Sequence, residues 1–206
     1  MRKIVEKGYE EGNYEKTYRL DDKIEKYTIE KKNLDKLINL LRKGAKILDL
    51  GCGPGIPYDK YLVKNGFKIM GVDISQKHID MARKNVPEGE FIKGDISKID
   101  FDEKSFDAII SLYSIFHIPK EEHRGLFLKI YEILKDDGLI LVTMGTELSE
   151  KEEIEDFIGS KMVWSSYSME ENIKLIKQCG FEIIHQEEEG KKGDEEHHLW
   201  ILAKKK

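Results

Sequence analysis

The chain has 206 residues, 36% charged and 39% hydrophobic, with a formal net charge of -5, a mean hydropathy of -0.54 and a pI near 5.8. That length buries one sizeable core and is short for two full domains. No apolar run approaches the roughly 18 residues of a membrane span, and the acidic balance argues against binding nucleic acid mainly through phosphate neutralisation. The start, Met1-Arg2-Lys3-Ile4-Val5-Glu6-Lys7, lacks the apolar stretch of a secretory signal. Cys52 and Cys179, the two cysteines, have no metal-type spacing and read as free thiols, so a cytoplasmic protein with no metal site is expected.

In chain order, Ile24, Tyr27, Leu34, Leu37, Ile38 and Leu41 recur at near-helical spacing and predict an amphipathic helix over 24–41, stopped by Gly44. Lys46 to Leu50 reads as a short buried strand that runs directly into Gly51-Cys52-Gly53-Pro54-Gly55. Pro57 suits the first turn of the following helix, and Gly66 ends it. Phe67 to Val72 is a second strand, Ser75 caps the next helix, Glu90 to Lys93 is a third strand, and Phe106 to Leu112 a fourth. The run Ala108-Ile109-Ile110 indicates a central parallel strand covered on both faces. A helix opened by Pro119 and a strand over 139–142 complete five β/α units.

Beyond them, a helix from Ser168 to Cys179 precedes two strands, 181–186 and 198–203, too closely joined to pair other than antiparallel. The acidic run Glu187-Glu188-Glu189 reads as part of a solvated hairpin loop. The expected architecture is an α/β, Rossmann-like, doubly wound fold with a mostly parallel seven-stranded sheet, an antiparallel C-terminal strand and helices on both faces. One domain spans 1–206, with 1–43 as a helical lid segment and 44–206 as the core.

The glycine loop lets a ligand approach the backbone, because glycine has no Cβ and the following helix offers unpaired N–H groups. Asp73, about twenty residues further on at the end of the second strand, suits ribose hydroxyls. The dinucleotide fingerprint is G-x-G-x-x-G, whereas here the third glycine is Gly55 and Ile56 stands in the fingerprint's last position, which disfavours a pyrophosphate. Asp95, after the third strand, suits an adenine amino group. Asp73 as a helix cap and Asp95 as a turn residue are the alternative readings. Cys52 reads as a small packing residue in the loop.

As a set, Asp49-Leu-Gly-Cys-Gly-Pro-Gly55, Gly71-Val-Asp73-Ile-Ser75, Gly94-Asp95 and Phe106-Asp-Ala-Ile-Ile110 resemble the ordered motifs of class I S-adenosylmethionine-dependent methyltransferases, over roughly Ala45 to the C-terminus. The resemblance implies S-adenosyl-L-methionine as cofactor. It implies Gly51 and Gly53 beside the methionine portion, with Cys52 and Gly55 in the same loop, Asp73 on the ribose, and Ile74 packed on the adenine. Asp95 and Ile96 would contact the adenine edge, Ser111 would lie near the methionine amino group, and Asp49 would orient the loop or reach the cofactor through water. It also implies a lid over the cofactor in the segment from Tyr9 to Arg19. There Tyr14 and Arg19 are cofactor candidates and Tyr18 a catalytic one, a surface helix being the alternative.

His117, after the fourth strand, is the candidate base or acceptor-orienting group; a core or capping histidine is the other reading. Met162-Val-Trp164-Ser-Ser-Tyr167 is an aromatic cluster, with Ser166 where some similar enzymes carry a histidine. In the last strand, alternation puts His198 and Trp200 on one face and His197 on the other. The expected activity is methyl transfer by in-line displacement to a small-molecule nitrogen or oxygen acceptor, by a monomer or homodimer. A non-catalytic S-adenosylmethionine-binding regulator and a nicotinamide-dependent oxidoreductase are the rival readings.

Overall fold

The structure, a computed structural model, describes residues 1–13, 21, 23–157, 159–194 and 197–206. Its elements are α1 (Arg2–Glu11), α2 (Thr28–Leu40), β1 (Lys46–Leu50), α3 (Tyr58–Lys64), β2 (Lys68–Asp73), α4 (Gln76–Asn85), β3 (Glu90–Lys93), β4 (Phe106–Ser111), α5 (Lys120–Ile133), β5 (Leu134–Gly145), β6 (Ser149–Phe157), β7 (Ser160–Ser166), α6 (Met169–Gln178), β8 (Phe181–Glu189) and β9 (His198–Lys205). No helix among the described residues is long and apolar enough to cross a membrane.

Seven strands form one sheet in the order β3-β2-β1-β4-β5-β9-β8. The first five are mutually parallel, and β9 runs antiparallel to both of its neighbours. The chain begins in the middle at β1, winds outward to β3 and then crosses back to β4. The loops leaving β1 and β4 therefore diverge, and the sheet opens a crevice at its carboxyl edge where a ligand fits.

Period-2 alternation sends neighbouring side chains to opposite faces, and both faces are covered. Leu48, Ile109 and Ile140 pack with Phe127 and Ile130 of α5 and Ile176 of α6. Ile47, Ile110 and Leu141 pack on the other face with Leu34 and Leu37 of α2, Leu62 of α3 and Ile79 of α4.

Three differences from the sequence reading matter for the site. The helix expected over 24–41 is a 3-10 turn, Ile24–Lys26, followed by α2, because Tyr27 leaves the helical region at φ -110°, ψ 78°. That break lets Ile24 bury itself in the same cluster as Leu34 and Leu37. The run 187–189 is the end of β8 rather than a loop, and its pairing with β9 turns Glu189 inward. The β6–β7 hairpin has no counterpart in the sequence reading: its first strand reads Ser-Glu-Lys-Glu-Glu-Ile-Glu-Asp-Phe, where charge hides the alternation.

α6 shows how local chemistry sets a boundary. Ser168 accepts from the Glu171 backbone N–H while Glu171 reaches back to the Ser168 N–H, a complete capping box. Ser168→Ala is expected to lower the unfolding free energy by about 1 kcal/mol, read as a reduced urea midpoint at unchanged slope; an unchanged midpoint would show that the cap is not what anchors α6.

Candidate functional site

β1 delivers the glycine loop to the carboxyl edge of the sheet. Gly51 sits at φ +87°, and a Cβ there would lie 2.4 Å from the Ser114 side chain, so no larger residue fits. Its N–H and that of Cys52 donate to the Val72 carbonyl at 2.7 and 3.1 Å, which ties the loop to β2. Gly53, at φ +53°, has nothing within 4 Å of a built Cβ and lines the cavity. Gly55 faces the other way, toward Val86 and Ala82 of α4 at 3.2–3.3 Å, and lets loop and helix pack closely.

The Asp73 carboxylate, 7% exposed, joins three segments. Its Oδ2 accepts from Gly53 N–H at 2.9 Å and its Oδ1 from Ser75 N–H at 2.8 Å, with His78 Nδ1 3.5 Å away. Asp95 accepts from the Ser97 N–H and hydroxyl at 3.0 and 2.7 Å, so it is a turn residue as well as a cavity wall. Arg2 of α1 lies against it, Nε to Oδ2 at 2.5 Å, and also pairs with Glu122.

Below the loop, Asp49 and Asp59 are 2% and 0% exposed. Burial and the Asp73 charge push the Asp49 carboxyl up to about 7, against a lowering contact with Asp59. Burial, then Asp49, pushes Asp59 well above the usual range. Burial and these carboxylates also push the Cys52 thiol up, so it stays protonated and is no nucleophile.

A further wall belongs to aromatic rings. His117 Nδ1 donates to the Val163 carbonyl at 3.0 Å, which leaves Nε2 to accept from the Tyr9 hydroxyl at 2.9 Å. Burial drives the His117 ring down to about 4, against the Val163 hydrogen bond and Asp73, so it is neutral near pH 7. Trp164 lies 5.7 Å from His117 and 5.1 Å edge-on from Phe157. Val5 of α1 packs on Met162 and Val163 of β7, which sets Tyr9 over the cavity.

All these walls enclose one cavity of about 1110 Å³, larger than most single small-ligand pockets, which run to roughly 1,000 Å³. Asp49, Gly51, Cys52, Gly53, Asp73, Ile74, Asp95, Ile96 and His117 all line it. Ser111 does not: it is buried, with its hydroxyl on the Leu50 carbonyl at 2.7 Å and 2.9 Å from that of Ser114, and Ser114 takes the place on the wall. Tyr14, Tyr18 and Arg19 lie outside the described residues. Arg2, Ser114, Trp164 and His198 also line the cavity without a site role in the sequence reading, whereas Tyr9 is the first residue of the expected lid segment.

Residues 47–138 match the family model of a methyltransferase domain. A sterol 24-C-methyltransferase of Pneumocystis carinii (strain B80) is 34% identical over 163 residues, covering 72% of this chain and 42% of that protein. The sterol 24-C-methyltransferase of Saccharomyces cerevisiae is 27% identical over 169 residues, covering 75% and 44%. The chain thus spans less than half the length of these curated relatives. Among solved structures, a protein from Pyrococcus horikoshii OT3 superposes with a TM-score of 0.72 at 24% identity over 94% of this chain and 98% of that one. A Burkholderia thailandensis 1,6-didemethyltoxoflavin-N1-methyltransferase with bound S-adenosylhomocysteine does so at 0.71 and 17%, over 96% and 84%. These structural likenesses establish the fold.

The proton balance of the acid pair is testable. Stability that depends on a proton held by Asp49 is fully present below its ordinary value of 3.8 and is lost as pH rises through about 7. From about pH 6 to about pH 8 that loss is about 1.4 kcal/mol for one such proton. Asp49→Asn, which removes the titrating carboxyl itself, is expected to flatten this loss in urea unfolding; an equal or steeper loss in the variant contradicts the assignment.

Proposed function

We propose that the chain, whose residues 47–138 match a methyltransferase domain, is a class I S-adenosylmethionine-dependent methyltransferase that transfers a methyl group to a small-molecule acceptor with an apolar or ring-bearing body. The observation that carries this reading is the shared cavity, in which the glycine loop, Asp73 and Asp95 adjoin an aromatic chamber.

The residues fit the cofactor. Asp49 Oδ1 is buried on the cavity wall with no hydrogen-bond partner, which suits the amino group of a methionine portion. Gly53 leaves the close approach open, Asp73 would meet the ribose hydroxyls, and Ile74, Asp95 and Ile96 would border the adenine. Bound there, the cofactor supplies a methyl group already activated on a sulfonium, so the protein's work is chiefly placement.

The chain's own groups then orient the acceptor and keep water out. Tyr9, Trp164 and Phe157 present ring faces and edges, which favour an apolar body and attract positive charge developing on the acceptor. Neutral His117, locked between Val163 and Tyr9, holds the Tyr9 hydroxyl in place. A nitrogen or oxygen acceptor is the first reading. A carbon acceptor is the second, favoured by the sterol 24-C-methyltransferases among the relatives.

Calorimetry tests the cofactor. S-adenosylmethionine and S-adenosylhomocysteine are expected to bind and NAD not, with Asp73→Ala weakening the pair by roughly 10- to 100-fold, the value of a hydrogen-bonded charge. Preference for NAD, or unchanged affinity in Asp73→Ala, would sink the reading.

A further inference from the structure

His198 opens β9 opposite Gly145 of β5, and its ring forms part of the cavity wall. Phe116 stacks on that ring, centroids 5.4 Å apart and planes at 23°, and Tyr113 meets it edge-on at 5.0 Å. Directly across the β8–β9 pairing stands Glu189, whose Oε2 lies 3.6 Å from His198 Nδ1.

The carboxylate behind the histidine is itself held. Trp200 Nε1 donates to Oε2 at 2.9 Å, and the Tyr113 hydroxyl donates to the same oxygen at 2.9 Å. Burial raises the Glu189 carboxyl, but the nearby His198 ring and the hydrogen bonds from Trp200 and Tyr113 outweigh it and hold the group below its usual value. A half-buried anion is a costly way to stabilise a strand pair. One aimed at a cavity-wall imidazole has the form of a base and its orienting acid.

His117 is differently committed, since both of its ring nitrogens are engaged, one on a backbone carbonyl and one on the Tyr9 hydroxyl. Other charged groups at the His198 end include Glu188, paired at 2.6 Å with His197, which also lines the cavity, and Asp194 on the cavity wall. Glu147, after β5, pairs with Lys192 of the β8–β9 loop at 3.5 Å.

We infer that His198, oriented by Glu189, is the proton acceptor of this site, and that the methyl acceptor is a ring-bearing molecule reacting through a hydroxyl or an N–H. The inference rests on the methyl-transfer reading. The acceptor heteroatom gives its proton to His198 Nε2 as it forms its bond to the methyl carbon, and the electron pair of the broken carbon–sulfur bond stays on sulfur. Positive charge thus passes from sulfonium to imidazolium, where Glu189 offsets it. Glu189 and Tyr113 are positioning residues.

4-Nitrophenol is a direct probe, because its phenol and phenolate forms differ in visible absorbance. Mixed with the protein at a pH below the probe's own pKa, with and without S-adenosylhomocysteine, it is expected to bind as the phenolate. His198→Gln and His198→Asn are each expected to cut the phenolate fraction about tenfold, one pH unit's worth of proton affinity, and Glu189→Gln to reduce it in part. His185→Gln, on β8 away from the cavity wall, is expected to keep the phenolate signal. Binding only as the phenol, no binding, an unchanged signal in both His198 variants, or an equal loss in His185→Gln would each overturn the assignment. Failure of S-adenosylhomocysteine to bind the wild-type protein would count against methyl transfer, whereas the nitrophenol spectrum taken without it still decides the dyad.

Discussion

The site depends on one carboxylate. Asp73 sits where β2 ends, and its two oxygens hold Gly53 of the loop after β1 and Ser75 at the start of α4. Besides that bridge, the Val72 carbonyl holds the loop to β2 and the Asn85 side chain of α4 donates to the Pro54 carbonyl at 2.9 Å. Because both donors to Asp73 are backbone N–H groups, the geometry follows from the main chain and survives variation in the neighbouring side chains. The same group is the one that the proposed nucleoside ligand would engage, so fold and ligand recognition meet at a single residue.

From that bridge the cavity divides by chemistry. Its end at the glycine loop is built by parallel strands and their outgoing loops, with polar groups at the strand termini. Its other end is built by additions to that core: α1, the β6–β7 hairpin and the inner edge of the β8–β9 pair. These additions bring rings, and the protonation of the groups among them is set by burial. His117 is driven neutral by desolvation, whereas Glu189 stays ionised because the His198 ring and the Trp200 and Tyr113 donors compensate it. Such opposite outcomes within one chamber let it hold a fixed neutral hydrogen-bond relay beside a fixed negative charge.

The parallel half of the fold was legible in the sequence because its signals are local. Glycines at 51, 53 and 55, aspartates after the strands, and the two-faced apolar run 108–110 each fix their position without knowledge of distant residues. The chamber was less legible because its walls come from long-range packing. Ser111 matched the expected spacing, yet its hydroxyl turns to the Leu50 carbonyl and Ser114 three residues later reaches the wall. Glu189 reads as one of three solvated glutamates until β8 and β9 pair and alternation turns it inward. The β6–β7 hairpin escaped because its first strand is too charged to show a buried face, and Arg2 because α1's role depends on where it docks.

Hydrogen–deuterium exchange with and without S-adenosylhomocysteine tests the central claim most directly, since it reads backbone protection at every strand terminus at once. The account predicts that the ligand protects 49–56, 73–78 and 94–98 together, with the strands on the far edge of the sheet unchanged. Protection confined to other segments, or none at saturating ligand, would contradict it.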